Sequence, residues 1–375
     1  MKGWKECKLE EIAINFAMGP FGSNIKADNF RNSGVPVIRG TNLNYDKFVD
    51  GEFVFLTEKK ADELKSSNCF PGDLVFTHRG TIGQVGIIPN GKYPRYVVSQ
   101  SGMKATPDTK HLDGMFLFYF FKSNIGQYKL LQHESQVGVP SISSPLSSLK
   151  AVKLLLPPLP EQKAIATVLS SLDDKIDLLH RQNATLEAMA EALFRQWFVV
   201  DAKEEWEEVA LSYFIDIKYG KDHKKLLDGK IPVYGSGGIM RYANQAIYNK
   251  ESVLIPRKGS LSNVIYINTP FWSVDTMFYT EMKHPNIAKF IYFFVHNLDL
   301  SSMNVGSAVP SMTTEILNSL PILKPPCELL EEYEVKVAAP LFCKIEMNIK
   351  QIRTLSTLRD TLLPKLMSGE VRVEY

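Results

Sequence analysis

Two stretches of this chain carry apolar residues in alternating steps of four and three. From Ile165 the pattern runs Leu169, Leu172, Ile176, Leu179, Asn183, Leu186, Ala190, Leu193 and Trp197. That spacing keeps one stripe of a helix apolar over more than four heptads, the signature of a coiled-coil seam. The second stretch gives Ala338, Leu341, Ile345, Asn348, Ile352, Leu355, Leu362 and Leu366, with Arg359 its one clear lapse. Pro160 and Glu161 suit a first helical turn, and Gly369 suits a stop. Two matched seams predict that the helices pair with each other, each about 50 Å long at 33 residues. Setting their midpoints antiparallel, near residues 181 and 350, places Asn183 opposite Asn348, and a buried Asn pair would fix the register.

Between the helices the pattern is that of short strands and turns, and it occurs twice. VPVIRG (35–40) returns as IPVYGS (231–236), FPGDLVFTHRGTIGQVGII (70–88) as ESVLIPRKGSLSNVIYI (251–267), and SQSGM (99–103) as SVDTM (273–277). FYFFKSN (118–124) matches IYFFVHN (291–297), GVPSIS (138–143) matches AVPSMT (308–313), and VKLLLPP (152–158) matches LPILKPP (320–326). Trp4 and Trp206 open the two copies. Seven stations in one order imply a tandem duplication, which must be recognised before any single motif is read. The expected division is a globular unit at 1–157, a helix at 158–200, a second globular unit at 201–325 and a second helix at 326–375. The aromatic runs at 116–121 and 291–294 recur at one station of an apolar helix and read as core.

Composition adds limits. A chain of 375 residues with 45% hydrophobic and 22% charged residues buries ordinary cores and excludes disorder. No apolar run approaches the roughly 20 residues that span a bilayer, and MKGWKECKLEE has no apolar signal core, so a cytoplasmic protein is expected. Cys7, Cys69, Cys327 and Cys343 have no CxxC spacing and read as ordinary semi-buried thiols. The net charge of +2 divides into about +5 for 1–157, about −2 for 158–200, about 0 for 201–325 and about −1 for 326–375. Charge alone would not suggest DNA.

Catalytic signatures are missing. The sequence has no phosphate loop, no H-E-x-x-H, no G-x-G-x-x-G, and at Tyr234-Gly235-Ser236-Gly237-Gly238 a nucleophile elbow with the wrong spacing. Its seven histidines are dispersed singly. Neither a catalytic residue, a metal nor a cofactor is expected.

The residues carrying the repeat resemble the specificity subunit of type I restriction-modification systems along essentially the whole chain. The carriers are LPPLPEQKAIATVLSSLDDKIDLLHRQNATLEAMAEALFRQWFV (156–199), LRDTLLPKLMSGE (358–370), VPVIRGTNL (35–43), GDLVFTHRGTIGQVGII (72–88), IPVYGSGG (231–238) and VLIPRKGS (253–260). The resemblance implies two α/β target-recognition domains alternating with two antiparallel helices. Each domain would read one half of a split, asymmetric DNA site, with the spacer set by the helices. It further implies a non-enzymatic subunit that recruits two adenine-methylating modification subunits and, in the full complex, two ATP-dependent restriction subunits. Pro325-Pro326-Cys327-Glu328 departs from the LPEQ pattern, which weakens the expected partner contacts there. The competing reading is a stand-alone coiled-coil DNA-binding or scaffold protein without a modification partner.

Polar residues on glycine-marked loops are the candidate DNA contacts, because short loops bring backbone and side chain close to a duplex. In the first unit these are Arg39, Thr41, Asn42, His78, Arg79, Thr81, Gln136 and Ser141. In the second they are Tyr234, Ser236, Arg241, Arg257, Lys258, Ser260, Ser307 and Ser311. Arg39, Asn42, Arg79 and Gln136 suit bidentate contact with purine edges. Arg79 and Lys258, cations common to both units, suit phosphate better. Trp197 and Phe198 are expected to anchor domain or partner contacts, and Arg181, Glu187, Glu191 and Arg195 to lie on outward helix faces.

Overall fold

The computed structural model describes residues 3–43, 47–135, 138–303 and 311–374. The chain forms two compact units, Met1–Leu178 with Ile352–Tyr375, and Leu179–Gln351. Each holds one sheet-rich domain together with part of both long helices.

In the first unit, Lys5–Lys8 pairs antiparallel with Lys153–Leu156, which closes the domain at its own start. A four-stranded antiparallel sheet runs in the order Ala13–Met18, Gly102–Pro107, Leu74–Thr77, Val85–Ile87. A second, mixed sheet runs Val54–Leu56, Val35–Ile38, Tyr96–Val98, Asn68–Cys69. Apolar residues crowd these short strands because they are covered on both faces; Leu74–Thr77 has no exposed position. The helix Gly114–Lys122, capped by the Asp113 carboxylate on Phe116 N–H at 2.8 Å, buries Phe116, Phe118, Phe120 and Phe121 in the main core.

The second unit repeats this plan. Glu208–Ala210 pairs with Pro321–Leu323. The antiparallel sheet runs Ile215–Tyr219, Met277–Met282, Ser252–Pro256, Ile265–Ile267, and the smaller one Gly238–Ala243, Asp228–Gly235, Trp272–Ser273. Phe290, Ile291 and Phe293 of the helix Ala288–His296 fill its core, so both aromatic runs pack internally. The hydrogen bonds correct one station of the repeat. Ser99 N–H donates to Ile38 O, and Val274 N–H to Tyr234 O, which matches Ser99 to Val274, not to Ser273.

The long helices are Leu159–Arg195, ending in a π-helical turn at Gln196–Val200, and Cys327–Tyr333 joined through a π turn at Glu334–Ala338 to Ala339–Ser368. Gly369, at φ +73°, ends the last one. Within each unit the two run antiparallel. In the first, Arg359 Nη1 donates to Asp173 Oδ1 at 2.9 Å and Arg372 Nη2 to Glu161 Oε2 at 2.7 Å. In the second, Asn348 Nδ2 donates to Asn183 Oδ1 at 2.8 Å, and Tyr333 OH to Ala190 O at 3.1 Å.

Leu169 and Leu179 are buried in the seam, while Leu172, Ile176, Leu186, Leu341, Ile345, Ile352, Leu355 and Leu362 are half-buried. Leu193 departs from the expected seam: it is 37% exposed, and after the expected Ala190 it is Phe194 and Phe198 that are buried. The stripe turns in steps of four here because its neighbour becomes the domain core. Phe194 packs on Phe290 and Phe293, and Phe198 on Phe290, Trp206 and Tyr333. Arg359, the lapse in the second seam, is answered by Asp173, which also accepts Tyr119 OH at 2.7 Å. At the matching station Tyr292 OH donates to Glu187, so that acid does not simply face solvent. Among the cysteines, Cys327 and Cys343 are exposed rather than semi-buried, since both fall off the apolar stripe of their helices.

Candidate nucleic-acid interface

In both domains the third strand of the four-stranded antiparallel sheet runs into a two-residue turn that carries an exposed cation and is closed by glycine. The turns are His78-Arg79-Gly80 and Arg257-Lys258-Gly259, with Gly80 at φ +83° and Gly259 at φ +88°. Only glycine takes that conformation without strain, which explains its place at this station. A later segment of the same domain pairs with each turn. Arg79 forms an isolated antiparallel bridge with Ser141, and Lys258 forms the same bridge with Ser311. Ile142 N–H donates to His78 O and Met312 N–H to Arg257 O, both at 2.9 Å. Arg79 and Lys258 are exposed, as are Thr81 and Ser260 just after each glycine.

A second loop adjoins each turn. In the first domain Arg39–Leu43 lies against it: a Cβ on Gly40 would be 3.0 Å from Gln84 Oε1. In the second, Asn263 Nδ2 donates to Ser236 O at 2.8 Å, and a Cβ on Gly259 would be 3.0 Å from Ser236 Oγ. Arg39, Thr41, Arg79, Thr81 and Ser141 therefore share one region of their domain, and Ser236, Lys258, Ser260 and Ser311 share one of theirs.

Several expected contacts are turned inward. Asn42 is 3% exposed and its amide is fully engaged, accepting from Arg39 N–H at 3.0 Å and donating to Asp50 O at 3.0 Å and Glu52 O at 2.9 Å. It holds the loop that carries Arg39 and does not face outward to read adenine. His78 is 7% exposed, with Nε2 3.1 Å from Gln100 O, and burial pulls its pKa below the ordinary imidazole value. Arg257, its counterpart, donates to Asp275 O at 3.1 Å and lies over the Tyr219 ring. Tyr234 is half-buried against the cluster of Leu254 and Phe271. Arg241 donates to Leu226 O at 2.7 Å and pairs with Asp228 at 3.3 Å, which holds a neighbouring loop. Gln136 and Ser307 lie outside the described residues.

Among the described residues no group of histidine, cysteine or acidic side chains could hold a metal, and no helix is long and apolar enough to cross a membrane. The family model for the type I restriction modification DNA specificity domain matches residues 1–188 and 203–332. The chain belongs to this family. The MjaIX specificity subunit of Methanocaldococcus jannaschii, a type I restriction enzyme subunit, is 26% identical over 422 aligned positions, spanning 100% of this chain and 94% of that one. The HindI specificity subunit of Haemophilus influenzae is 29% identical over 202 positions, 53% of this chain and 41% of that one. The crystal structure of a type I restriction-modification S subunit from M. genitalium shares the fold, with a TM-score of 0.63 at 19% identity, covering 97% of this chain and 96% of that chain.

The LPEQ signature of this specificity subunit has a physical basis at the start of its central helix. Glu161 and Gln162 have no exposed surface. Glu161 accepts from Trp4 Nε1 at 3.2 Å and from two nitrogens of the Arg372 guanidinium, which stacks over the Trp4 ring. Gln162 accepts from Asp113 N–H and donates to His111 O and Pro157 O, each at 2.9 Å. The second junction replaces the pair with Leu329 and Leu330, which pack in the second core. Its departure from LPEQ exchanges a polar clamp for an apolar one.

The repeat marks no candidate residue in the loops that leave Gly19 and Gly220. These two glycines sit at one station, but the residues after them differ entirely, so no repeat marks them.

Proposed function

We propose that this specificity subunit reads a bipartite, asymmetric DNA sequence, each domain contacting one half-site through its Arg79 or Lys258 turn. The observation that carries this reading is a shared frame with different side chains. The Arg79–Ser141 and Lys258–Ser311 bridges are the same backbone construction, while Arg39, Thr41 and Thr81 of one domain are answered in the other by Ser236 and Ser260. A common frame positions both domains on phosphate, and divergent neighbours give each its own sequence preference. Two unlike half-sites make a palindrome unexpected.

The chain supplies recognition, and its partners supply the chemistry. It recruits two adenine-methylating modification subunits and two restriction subunits in the cytoplasm. The domains divide at 1–157 and 201–325, with the helices at 158–200 and 326–375 serving as spacer and dock. Incubating the chain with its modification subunit and a randomised duplex pool tests this. Enrichment of two different short sequences at a fixed separation is expected; enrichment of nothing, or of a palindrome, would refute it.

A further inference from the structure

One loop in each domain is used neither by the helices nor by the Arg79 and Lys258 turns. In the first domain it leaves the strand Ala13–Met18 through Gly19-Pro20-Phe21-Gly22. Gly19 N–H donates to Gly102 O at 2.9 Å, and a Cβ there would lie 1.8 Å from Ser99 O, so the loop's root is pressed against backbone. Pro20 has a restricted φ, and Gly22 stands at φ +58°. Held between them, Phe21 is 70% exposed, against 51% for Phe70 and 41% for Phe48. Gln100 Nε2 donates to Gly22 O at 3.4 Å, while Gln100 O contacts the His78 ring. Phe21 and Arg79 thus stand on loops tied to one residue.

The second domain roots its loop the same way. Gly220 N–H donates to Met277 O at 3.1 Å, and a Cβ there would lie 2.0 Å from Val274 O. The loop continues as Lys221-Asp222-His223-Lys224-Lys225, with all three lysines exposed. Lys221 N–H donates to Ser273 O at 2.8 Å, Trp272 Nε1 donates to Lys221 O at 2.9 Å, and the Asp222 carboxylate accepts from Lys224 N–H at 3.1 Å. The Arg257 guanidinium, 5.1 Å from the Tyr219 ring, links this loop to the Lys258 turn.

We propose that this loop is a second DNA-contacting arm in each domain, with Phe21 an apolar wedge against a base step and Lys221, Lys224 and Lys225 phosphate contacts. The inference rests on the DNA-reading function proposed for the chain. A duplex offers a rigid loop two kinds of purchase. Its phosphates attract lysine whatever the sequence, and its stacked steps admit an exposed apolar ring where unstacking is cheap. The wedge therefore contributes sequence preference through deformability, without hydrogen bonds to base edges. The two half-sites are held by different physics at one station of the repeat.

The test uses the full chain with its modification subunit and the selected duplex, carrying 2-aminopurine at successive positions of the first half-site. Binding should raise fluorescence at one step. Phe21→Ala should abolish that rise and weaken binding about tenfold with the salt dependence unchanged, while Phe21→Leu retains both. Replacing Lys221, Lys224 and Lys225 together by alanine should lower the slope of log K against log salt by about 0.9 per lysine. No fluorescence change at any step, or a Phe21→Ala complex like the parent, overturns the wedge; an unchanged slope in the triple variant overturns the clamp. Arg79→Ala is the control. If the parent chain binds no duplex, the DNA reading falls and the arm with it; if Arg79→Ala alone weakens binding, only the arm falls.

Discussion

Asn348 donates its side-chain amide to the Asn183 side-chain oxygen at 2.8 Å, between seam positions that are otherwise aliphatic, including Leu179, Leu186 and Ile345. Asn348 is 1% exposed, and its own Oδ1 has no hydrogen-bond partner among the described residues. A buried pair of this kind costs stability and penalises every other register. Replacing both residues by leucine should raise the melting temperature by several degrees. Cysteines placed to bridge the helices one heptad out of register should then cross-link, as they do not in the parent. A double variant that melts no higher and keeps a single register would show that the pair does not specify alignment.

The clamp at Glu161 gives a sharper loss. Its carboxylate has no exposed surface, and Arg372 is its only cationic partner among the described residues. Removing one member of a fully buried pair costs about 3–5 kcal/mol. Because the Arg372 side chain is 42% exposed, water partly replaces it, and Arg372→Ala should cost about 2 kcal/mol in urea unfolding. Trp4→Phe, which leaves the ion pair in place, should cost less. Equal losses would mean that packing, not charge, holds this junction.

His78 sets an acid limit. Burial depresses its pKa below 6.5, so the folded domain resists protonation while the unfolded chain accepts a proton at the ordinary value. The contribution is present above pH 6.5 and is lost as pH falls toward the depressed folded value. The melting temperature of the parent should therefore fall between about pH 7.5 and about pH 5.5 by more than that of His78→Gln. Parallel curves would place the acid sensitivity elsewhere.

Arg79 and Lys258 occupy one station in two unlike domains, which suits phosphate contact better than base discrimination. Arg79→Ala and Lys258→Ala should each weaken binding to all duplexes and reduce the salt slope by about one. Loss of discrimination at a single base pair, with the slope unchanged, would assign that residue to base reading.

What the sequence made legible was periodic or repeated. Matched stations foretold the duplication, and the step of four and three led to the Asn183–Asn348 pair. Legibility failed where one residue type serves two environments. Asn42 and His78 on polar loops look the same whether they face solvent or bond the backbone beneath them. Leu193 continues a heptad on paper, but beyond Ala190 the helix packs on Phe290 and Phe293 of the domain core as well as on Tyr333 of its partner helix. Arg359 looked like a defect because its answer, Asp173, lies on the other helix. The loops after Gly19 and Gly220 offer no repeat to find, since Phe21 and the lysines share only their root.

The most direct measurement is single-molecule methylome sequencing of cells expressing this chain with its modification subunit, against cells expressing the modification subunit alone. A new adenine-methylated motif, split into two unlike halves, is expected only when this chain is present. Its absence, despite a stable complex on size exclusion, would contradict sequence reading by this chain and leave it a scaffold that does not read DNA.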